Sequence, residues 1–398
     1  MSLVRLLFWT HLVSSVAVPF FRDWGGLDYT TILLVQAWFM VWSFVLEVPT
    51  GAVADRFGRR VSLAAGAFVA AAGSLLYASA PLLPVFLLGE IVLAAAFVLV
   101  SGADEALVYD TLRALGREPE ATHVIARLES YKLAGILVGA LAGGVVASTL
   151  GVRAPMLVQA VPAALAGFVA LTLVEPPSDA PAGHHRHGYF RVLTSGLYYF
   201  RASSQLRRLT LDLVANGAFA WMVLWLYQPQ LQRGAVPLSL FGVVHAVMSL
   251  CQIALLARVE SAERLLGGRL RLIRVGALVP PLCFLALGLT ANPAASVALV
   301  VVAATFGLSR PPVFSGALNQ QIPSSERATV LSAVSAVRTL GLAVFYPLAG
   351  ALMDRSLPLA FVVLGALGLA TAVLSAAPGA AFEPTPPEGA SEAAEPER

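Results

Sequence analysis

The sequence is poor in charge, in lysine and in cysteine, and each shortage excludes a class of protein. Only 12% of its 398 residues are charged, whereas soluble domains carry about 25% charged residues. Lys132 is the single lysine among 26 basic residues, and Cys251 and Cys283 both lie within apolar stretches. An ordinary soluble domain is therefore excluded, and no disulfide framework is indicated.

The short motifs of common soluble enzymes are also missing. The sequence contains no Gly-x-Ser-x-Gly, no Walker loop and no His-Glu-x-x-His. The histidines of the string His184-His185-Arg186-His187 are predicted to lie in a solvated loop rather than in a metal site. We therefore expect no enzymatic activity, no cofactor and no metal centre. The net charge of +3 indicates no nucleic-acid partner, because the basic residues lie in loops between apolar runs.

Long apolar runs are what the sequence has in abundance. Apolar residues make up 58% of the chain, and the mean hydropathy is +0.78. Twelve segments reach the roughly 20 residues that a bilayer-spanning helix needs. We predict an all-α membrane protein with twelve transmembrane helices. The predicted spans, numbered 1 to 12, are residues 3–22, 28–50, 60–80, 82–110, 121–149, 152–174, 207–232, 237–258, 270–291, 294–320, 327–353 and 357–377.

The placement of arginine predicts how these spans are oriented. With the N-terminus inside, the inner loops and ends hold 19 of the basic residues, and the outer loops hold four. Loops rich in Arg and Lys stay on the cytoplasmic side. We therefore expect both termini in the cytoplasm and the protein in the inner membrane of a bacterial-type cell.

The chain repeats itself with an offset of 207 residues. Ala121-Thr122 precedes span 5, and Ala328-Thr329 precedes span 11. The same offset places Ala140–Gly143 on Pro347–Gly350, and the small residues of both strings predict close helix packing.

Four regions follow from the repeat and from composition. Residues 1–174 and 206–378 are predicted to form two pseudo-symmetric six-helix bundles, and residues 175–205 form a central cytoplasmic loop between them. Residues 379–398 are rich in Glu, Pro and Ala, and we predict that this cytoplasmic tail is disordered.

A short polar stretch, residues 51–60, separates spans 2 and 3. Its glycines and charges predict a tight cytoplasmic loop, in which Asp55 faces a helix N-terminus or an arginine at the membrane edge. The stretch resembles the signature between helices 2 and 3 of the major facilitator superfamily of transporters, Gly-x-x-x-Asp-Arg-x-Gly-Arg-Arg/Lys. The matching residues are Gly51, Asp55, Arg56, Gly58, Arg59 and Arg60.

This resemblance implies a transporter whose two bundles rock around a central site near the bilayer midplane. Its partners would be the lipid bilayer, protons and a small-molecule substrate, and it would act as a monomer. We expect Asp55 and Arg59 to act in conformational switching rather than binding, because they lie about half a bilayer from the midplane. By the same resemblance, Asp110 at the inner end of span 4 pairs with Arg59.

Span 5 carries the string Gly135-x-x-x-Gly139-Ala140-x-x-Gly143-Gly144. From residue types alone, its bare face predicts the close approach of another helix. The string also resembles the superfamily's antiporter motif of helix 5, except that Ala140 replaces a proline. That likeness implies export in exchange for protons, so our first hypothesis is proton-coupled efflux of small amphipathic or drug-like molecules.

Two other functions stay open. A transporter of a specific polar or anionic metabolite would use Lys132 and Arg338 to bind an anion. A membrane sensor or scaffold without flux would share the same fold, since a fold does not determine a function.

Ionisable and aromatic residues inside the spans are candidates for substrate binding or proton coupling. Glu90 stands in span 4 where many superfamily members place an arginine. It would bind a proton or a cationic part of a substrate, or else remain neutral and bonded to a neighbouring helix. Trp221 and Trp225 share a helical face and would stack on a flat ligand or join an interfacial aromatic belt. The other candidates are Asp104, Lys132, Asn216 and Arg338.

The inner ends of spans 4 and 10 are predicted to form a gate. Subtracting the repeat offset from Arg310 gives Ala103, at the depth of Asp104 and Glu105. We predict that Arg310 pairs with one of these acids when the protein faces outward and separates from it when the protein opens inward. The alternatives are a permanent bridge within one bundle and an anion-binding role for Arg310.

Overall fold

The structure, a computed structural model, describes residues 1–176, 204–319 and 327–374. The described residues are largely helical, and eleven stretches among them are long and apolar enough to cross a bilayer. The remaining predicted span, span 1 at the N-terminus, is an interrupted helix. The all-α architecture of twelve spans is confirmed. The predicted tail, the histidine cluster and most of the predicted central loop lie outside the described residues.

Nine spans are single helices in the described part of the chain, because a helix satisfies its own backbone inside lipid. Spans 2, 3, 5 and 6 are Tyr29–Phe57, Arg59–Tyr77, Ala121–Leu150 and Ala154–Leu171, and spans 8 to 12 are Ser239–Ala257, Arg269–Leu289, Pro293–Asn319, Arg327–Arg355 and Leu357–Leu374. Spans 4 and 7 each consist of two helices, Leu83–Val100 with Ala103–Ala114 and Ser204–Trp221 with Val223–Arg233. A short helix that was not predicted, Val259–Leu266, lies between spans 8 and 9.

Span 1 is interrupted, whereas the sequence predicted one continuous helix over residues 3–22. A helix at Ser2–Phe8 is followed by a 3-10 turn at Leu12–Ser15 and by a π-helical turn at Phe20–Trp24. Pro19 contributes to the irregularity, because it has no backbone N–H to donate. Hydropathy counts apolar residues and does not detect such a break.

Polar side chains of other spans bond the backbone groups that this interruption releases. Gln159 of span 6 accepts from the Val13 N–H at 3.3 Å. Gln228 of span 7 accepts from the Val18 N–H at 2.8 Å and donates to the Ser14 carbonyl at 3.0 Å. Irregular backbone at membrane depth is tolerated only when it is buried and bonded in this way.

The polar stretch at 51–60 is mostly helix, which corrects the predicted tight loop. Span 2 continues through Phe57, and the turn is made at Gly58, where φ is 92°. Charged residues do not end span 2, because a helix satisfies its own backbone in water as well as in lipid. An added Cβ at Gly58 would also lie 2.5 Å from a Glu175 carboxylate oxygen, so the Glu175 side chain would have to move.

The two bundles contact each other at one end of the molecule. We call the end that carries Gly58 the inner end, predicted to be cytoplasmic, and the opposite end the outer end. Near the outer end, Gly350 of span 11 lies against the backbone of Thr30 in span 2, and Gly242 of span 8 lies against Gly144 in span 5. A cavity separates the bundles on the inner side of these contacts, so the described structure is closed at the outer end and open toward the inner end.

The glycines of span 5 lie against the first part of span 1. Added Cβ atoms at Gly135, Gly139 and Gly143 would each meet main-chain atoms of residues 6–12. The two helices therefore touch backbone to backbone, as bare helix faces allow.

Gly143→Ala is expected to lower the free energy of unfolding by about 1–3 kcal/mol, because the added methyl pushes two main chains apart. The matched control is Gly217→Ala, a helical glycine at which an added Cβ meets nothing within 4 Å. Thermal unfolding of both purified variants in detergent compares the two positions. Equal midpoints would contradict the packing argument.

Candidate functional site

A central cavity lies between the two bundles. Its larger part has a volume of about 750 Å³, and an adjoining part beside the second bundle has about 420 Å³. Trp221, Arg338 and Leu342 line both parts. Gly51 and Arg59 line the larger part near the inner end, so the cavity runs from the middle of the bundles to that end.

Besides Arg59, the described lining of the cavity carries a cation and an anion from opposite bundles. Arg338 of span 11 and Glu47 of span 2 are both exposed to it. Neither side chain forms an ion pair with any residue that the structure describes. Both charges are therefore available to a ligand. The aromatic part of the lining consists of Phe39, Phe44, Phe97 and Trp221.

Trp221 and Trp225, which were predicted to stack together on a flat ligand, line different cavities. The helix of span 7 is interrupted at Met222, which lies between the two tryptophans. Trp221 is 43% exposed and lines the central cavity. Trp225 lines a second cavity instead.

Two other predicted binding residues are engaged elsewhere. Lys132 donates to Glu129 at 2.7 Å, and its Nζ lies 4.7 Å from the centre of the Trp9 ring. Asn216 is buried and donates to the Asp212 carboxylate. Each reaches an acid within one helical turn of its own span, where side chains three or four residues apart meet. Neither is among the residues that line the central cavity.

The second cavity, here the Glu90 chamber, is lined mostly by the first bundle, with Trp225 of the second bundle in its wall, and has a volume of about 220 Å³. Glu90 is only 4% exposed. Its Oε1 accepts from the Tyr77 hydroxyl at 2.7 Å and from the Gln36 amide at 2.8 Å. In the described structure its Oε2 accepts no hydrogen bond. The polar residues lining the chamber are His11, Gln36, Ser74, Tyr77, Glu90 and Gln159.

An aromatic pair separates the Glu90 chamber from the central cavity. Phe39 and Phe97 line both spaces, and their ring centres are 6.1 Å apart in an edge-to-face arrangement.

A buried ion cluster joins spans 1, 4 and 5 in the first bundle. Arg5 Nε lies 2.7 Å from the Asp104 carboxylate, and the same guanidinium lies 3.2 Å from Glu105 and 3.4 Å from Glu129. The side chains of Arg5 and Asp104 are 8% and 6% exposed. Both acids that were predicted to pair with Arg310 therefore form ion pairs with Arg5.

Arg310 is paired inside the second bundle and is separated from Asp104 and Glu105 in this inner-open conformation. The predicted contact with one of these acids belongs to the outward-facing state and stays a prediction. One guanidinium nitrogen lies 2.9 Å and 2.8 Å from the two oxygens of Asp212 in span 7. Arg310 Nε donates to the Ile273 carbonyl at 3.2 Å. Asp212 faces Arg310 within its own bundle, and a buried charge requires a partner.

The two buried pairs are counterparts in the repeat, with their charges exchanged. Adding 207 to Arg5 gives Asp212, and Asp104 and Arg310 differ by 206. In each bundle the first span is therefore joined to the fourth span by one arginine and one aspartate. The arginine is on the first span in one bundle and on the fourth span in the other.

The polar stretch at 51–60 holds the inner end of the first bundle together. Arg59 forms an ion pair with Asp110 and donates to the Ala106 carbonyl at 2.6 Å. Arg60 donates to the Leu173 carbonyl at 3.4 Å. Arg56 is exposed, with its guanidinium 5.4 Å from the Phe57 ring. The side chain of Asp55 lies outside what the structure describes.

Sequence reasoning missed three acids that join different spans: Glu175, Asp212 and Asp354, whose carboxylate accepts from Tyr29 and Thr30 of span 2. Glu175 accepts from the backbone N–H groups of Arg59 and Arg60 and so caps span 3. Asp212 could have been found, because it is the repeat counterpart of Arg5. Asp354 could have been found as well, because its spacing from Gly350 equals that of Asp55 from Gly51.

Comparison with solved structures identifies the same fold in several transporters. The nucleoside transporter NupG matches with a TM-score of 0.78 at 12% identity, covering 96% of this chain and 98% of that one. A D-xylose-proton symporter matches with 0.71 at 17%, covering 96% of each chain. The inward-open xylose transporter XylE from E. coli matches with 0.69 at 16%, covering 98% and 96%. At these identities the likeness shows the fold alone.

Sequence comparison identifies the family directly. A search of curated protein sequences finds no match. The family model of the Major Facilitator Superfamily matches residues 2–319, which include the polar stretch at 51–60, the first bundle and most of the second. Two six-span bundles around an inward-facing cavity, in a chain matched over most of its length, establish that this protein belongs to the Major Facilitator Superfamily.

Proposed function

We propose that this protein is a proton-coupled secondary transporter of small amphipathic organic anions, which works by alternating access. The observation that carries the proposal is Arg338, a cation without an ion-pair partner among the described residues, exposed in the central cavity. The aromatic rings around it suit the apolar part of such a substrate. We place the protein in the inner membrane, as a monomer with both termini in the cytoplasm.

The size and chemistry of the cavity support this proposal. Small-molecule sites commonly measure about 300–1,000 Å³ and combine an apolar lining with few polar groups. The larger part of the central cavity lies in that range, and Trp221 beside Arg338 provides a flat surface. A guanidinium binds carboxylate or phosphate through two parallel hydrogen bonds. A D-xylose-proton symporter has the same fold, so the fold is compatible with transport that is coupled to protons.

Arg338→Gln is expected to weaken binding of an anionic substrate by about 10–100-fold, the usual worth of a charge-assisted hydrogen bond. The measurement is uptake and binding of a panel of aromatic carboxylates and phosphates by proteoliposomes. Arg258→Gln, which removes an exposed arginine at the inner end, is the matched control and is expected to change neither.

Arg338→Lys separates charge from geometry, since lysine keeps the charge but cannot form the two-pronged contact. It is expected to retain weak binding. If no anion in the panel is transported and Arg338→Gln changes nothing, the proposal of an anionic substrate fails.

A second candidate is proton-coupled efflux of cationic, drug-like molecules. Glu47 favours it, because this acid is exposed in the same cavity without an ion-pair partner in the described structure. The antiporter-like string of span 5, which meets span 8 at Gly144 and Gly242, also favours it. In this case Glu47→Gln would abolish efflux of cationic dyes, and Arg338→Gln would leave it intact. Absence of any substrate-dependent flux across both panels would favour the sensor or scaffold.

A further inference from the structure

We infer that Asp354 is a latch that holds the outer end closed, an inference that rests on the alternating access of the proposed function. Asp354 is the second-last residue of span 11, in the second bundle. Its carboxylate binds the first turn of span 2, in the first bundle. Opening of the outer end separates these two helices, so the contact must break once in every transport cycle.

The carboxylate of Asp354 makes three short hydrogen bonds across the bundle interface. It accepts from the Tyr29 N–H at 2.8 Å, from the Thr30 N–H at 2.8 Å and from the Thr30 hydroxyl at 2.6 Å. The first N–H groups of a helix have no partner within the helix, and a negative charge beside them is stabilising. Asp354 therefore caps a helix that belongs to the other half of the molecule.

Span 2 also has a cap of its own, which gives an internal reference. Asp28 accepts from the Thr31 N–H at 2.8 Å, and hydrogen bonds from Thr31 lower the pKa of Asp28. This contact joins two residues of one bundle and remains when the bundles separate. The N-terminal donors of span 2 are therefore divided between a permanent cap, Asp28, and a removable cap, Asp354.

Close packing one turn below Asp354 supports the latch. An added Cβ at Gly350 would lie 2.6 Å from the Tyr29 carbonyl oxygen and 2.6 Å from the Thr30 Cα. Such distances leave no room for a side chain, so spans 2 and 11 touch backbone to backbone. Gly350 lets the helices approach, and Asp354 then reaches the donors at the end of span 2.

The latch repeats a pattern found at the other end of the molecule. Gly350-Ala-Leu-Met-Asp354-Arg355 has the spacing and residue types of Gly51-Ala-Val-Ala-Asp55-Arg56. The two strings are 299 residues apart, so they are not counterparts under the repeat offset of 207. One string lies near the inner end of span 2 and the other near the outer end of span 11, on the two helices that meet at the outer closure.

Asp354→Ala is expected to shift the equilibrium toward outward-facing molecules by about tenfold or more, because charge-assisted bonds made only in one state bias that state. The measurement uses spin labels at Leu150→Cys and Leu289→Cys, two exposed outer positions in opposite bundles. The background carries Cys251→Ser and Cys283→Ser. Pulsed electron resonance on protein in lipid nanodiscs then reports the distance across the outer end.

Asp28→Ala is the matched control, because it removes a cap of the same helix without touching the other bundle. It is expected to leave the distance distribution unchanged, whereas Asp354→Ala adds a longer distance and Asp354→Glu restores part of the short one. An Asp354→Ala distribution equal to wild type would overturn the latch. An equal shift in both variants would also overturn it, since capping in general would then be responsible.

Gly350→Leu separates failure of the latch from failure of alternating access. The larger side chain is a wedge between spans 2 and 11 and is expected to force the outer end open. If the wedge opens the outer end and Asp354→Ala does not, the latch is wrong and the rocking motion stands. If neither variant opens it, the bundles do not rock, and both proposals fail together. Because no substrate is needed, the outcome at Arg338 does not affect this test.

Discussion

Replacing Arg310 with alanine is expected to lower the free energy of unfolding by about 3–5 kcal/mol, because Asp212 would remain as a buried charge without its partner. The side chains of Arg310 and Asp212 are only 1% and 4% exposed. Water cannot take the place of the missing guanidinium in such surroundings. Asp212→Ala is expected to have an effect of similar size.

A charge exchange tests whether the pair acts as a unit. Asp212→Arg combined with Arg310→Asp places arginine on the first span and aspartate on the fourth, as Arg5 and Asp104 are placed in the other bundle. We expect this double variant to recover a large part of the lost stability. Recovery will be incomplete, because the Ile273 carbonyl then loses the hydrogen bond from Arg310.

Thermal unfolding of the purified variants in detergent measures these differences. Arg258→Ala, an exposed arginine at the inner end, controls for loss of positive charge alone and is expected to be nearly neutral. A stable Arg310→Ala variant that loses substrate affinity would instead assign Arg310 to anion binding. Rescue of Arg310→Asp by Asp104→Arg, but not by Asp212→Arg, would instead support the predicted gate between the bundles.

Glu90→Gln is expected to abolish substrate accumulation driven by a pH gradient while leaving counterflow exchange intact. Glutamine keeps the shape of the side chain and can still accept from Tyr77, but it cannot take up or release a proton. Exchange of substrate for substrate needs no proton movement and should continue.

Proteoliposomes with an imposed pH gradient distinguish the two modes of transport. Glu120→Gln is the control, since Glu120 is an exposed acid paired with Arg117 at the inner end, and it should transport as wild type does. Unchanged pH-driven uptake by Glu90→Gln would move proton coupling to another acid. Glu47 would then be the next candidate, because Asp104 is already paired with Arg5.

Several features of this protein could be predicted because they depend on local sequence. The length of an apolar run decides whether a segment can span a bilayer, so the spans were recognised from composition alone. The spacing of Gly51, Asp55, Gly58 and Arg59 identified the family before any contact was known. The offset of 207 residues identified the two halves. Each of these signals is contained within a window or a simple repeat of the chain.

The candidate site was harder to predict, because its partners come from distant spans. Arg5 and Asp104 are 99 residues apart, and Asp212 and Arg310 are 98 residues apart. The sequence placed Arg310 and Asp104 at a common depth, but depth does not tell which way a side chain faces. The buried partner within the same bundle decided the pairing in both cases.

The sequence by itself determined that the chain is a twelve-span member of its family, because hydrophobic length and motif spacing are properties of the chain. Only the tertiary structure decided where span 1 is interrupted, which charges in the cavity lack an ion-pair partner among the described residues, and which end is closed. The interruption depends on bonds from Gln159 and Gln228, and the closure depends on Asp354 reaching span 2. These outcomes depend on which helices lie side by side and which faces they turn to each other, and that is settled only when the two bundles pack.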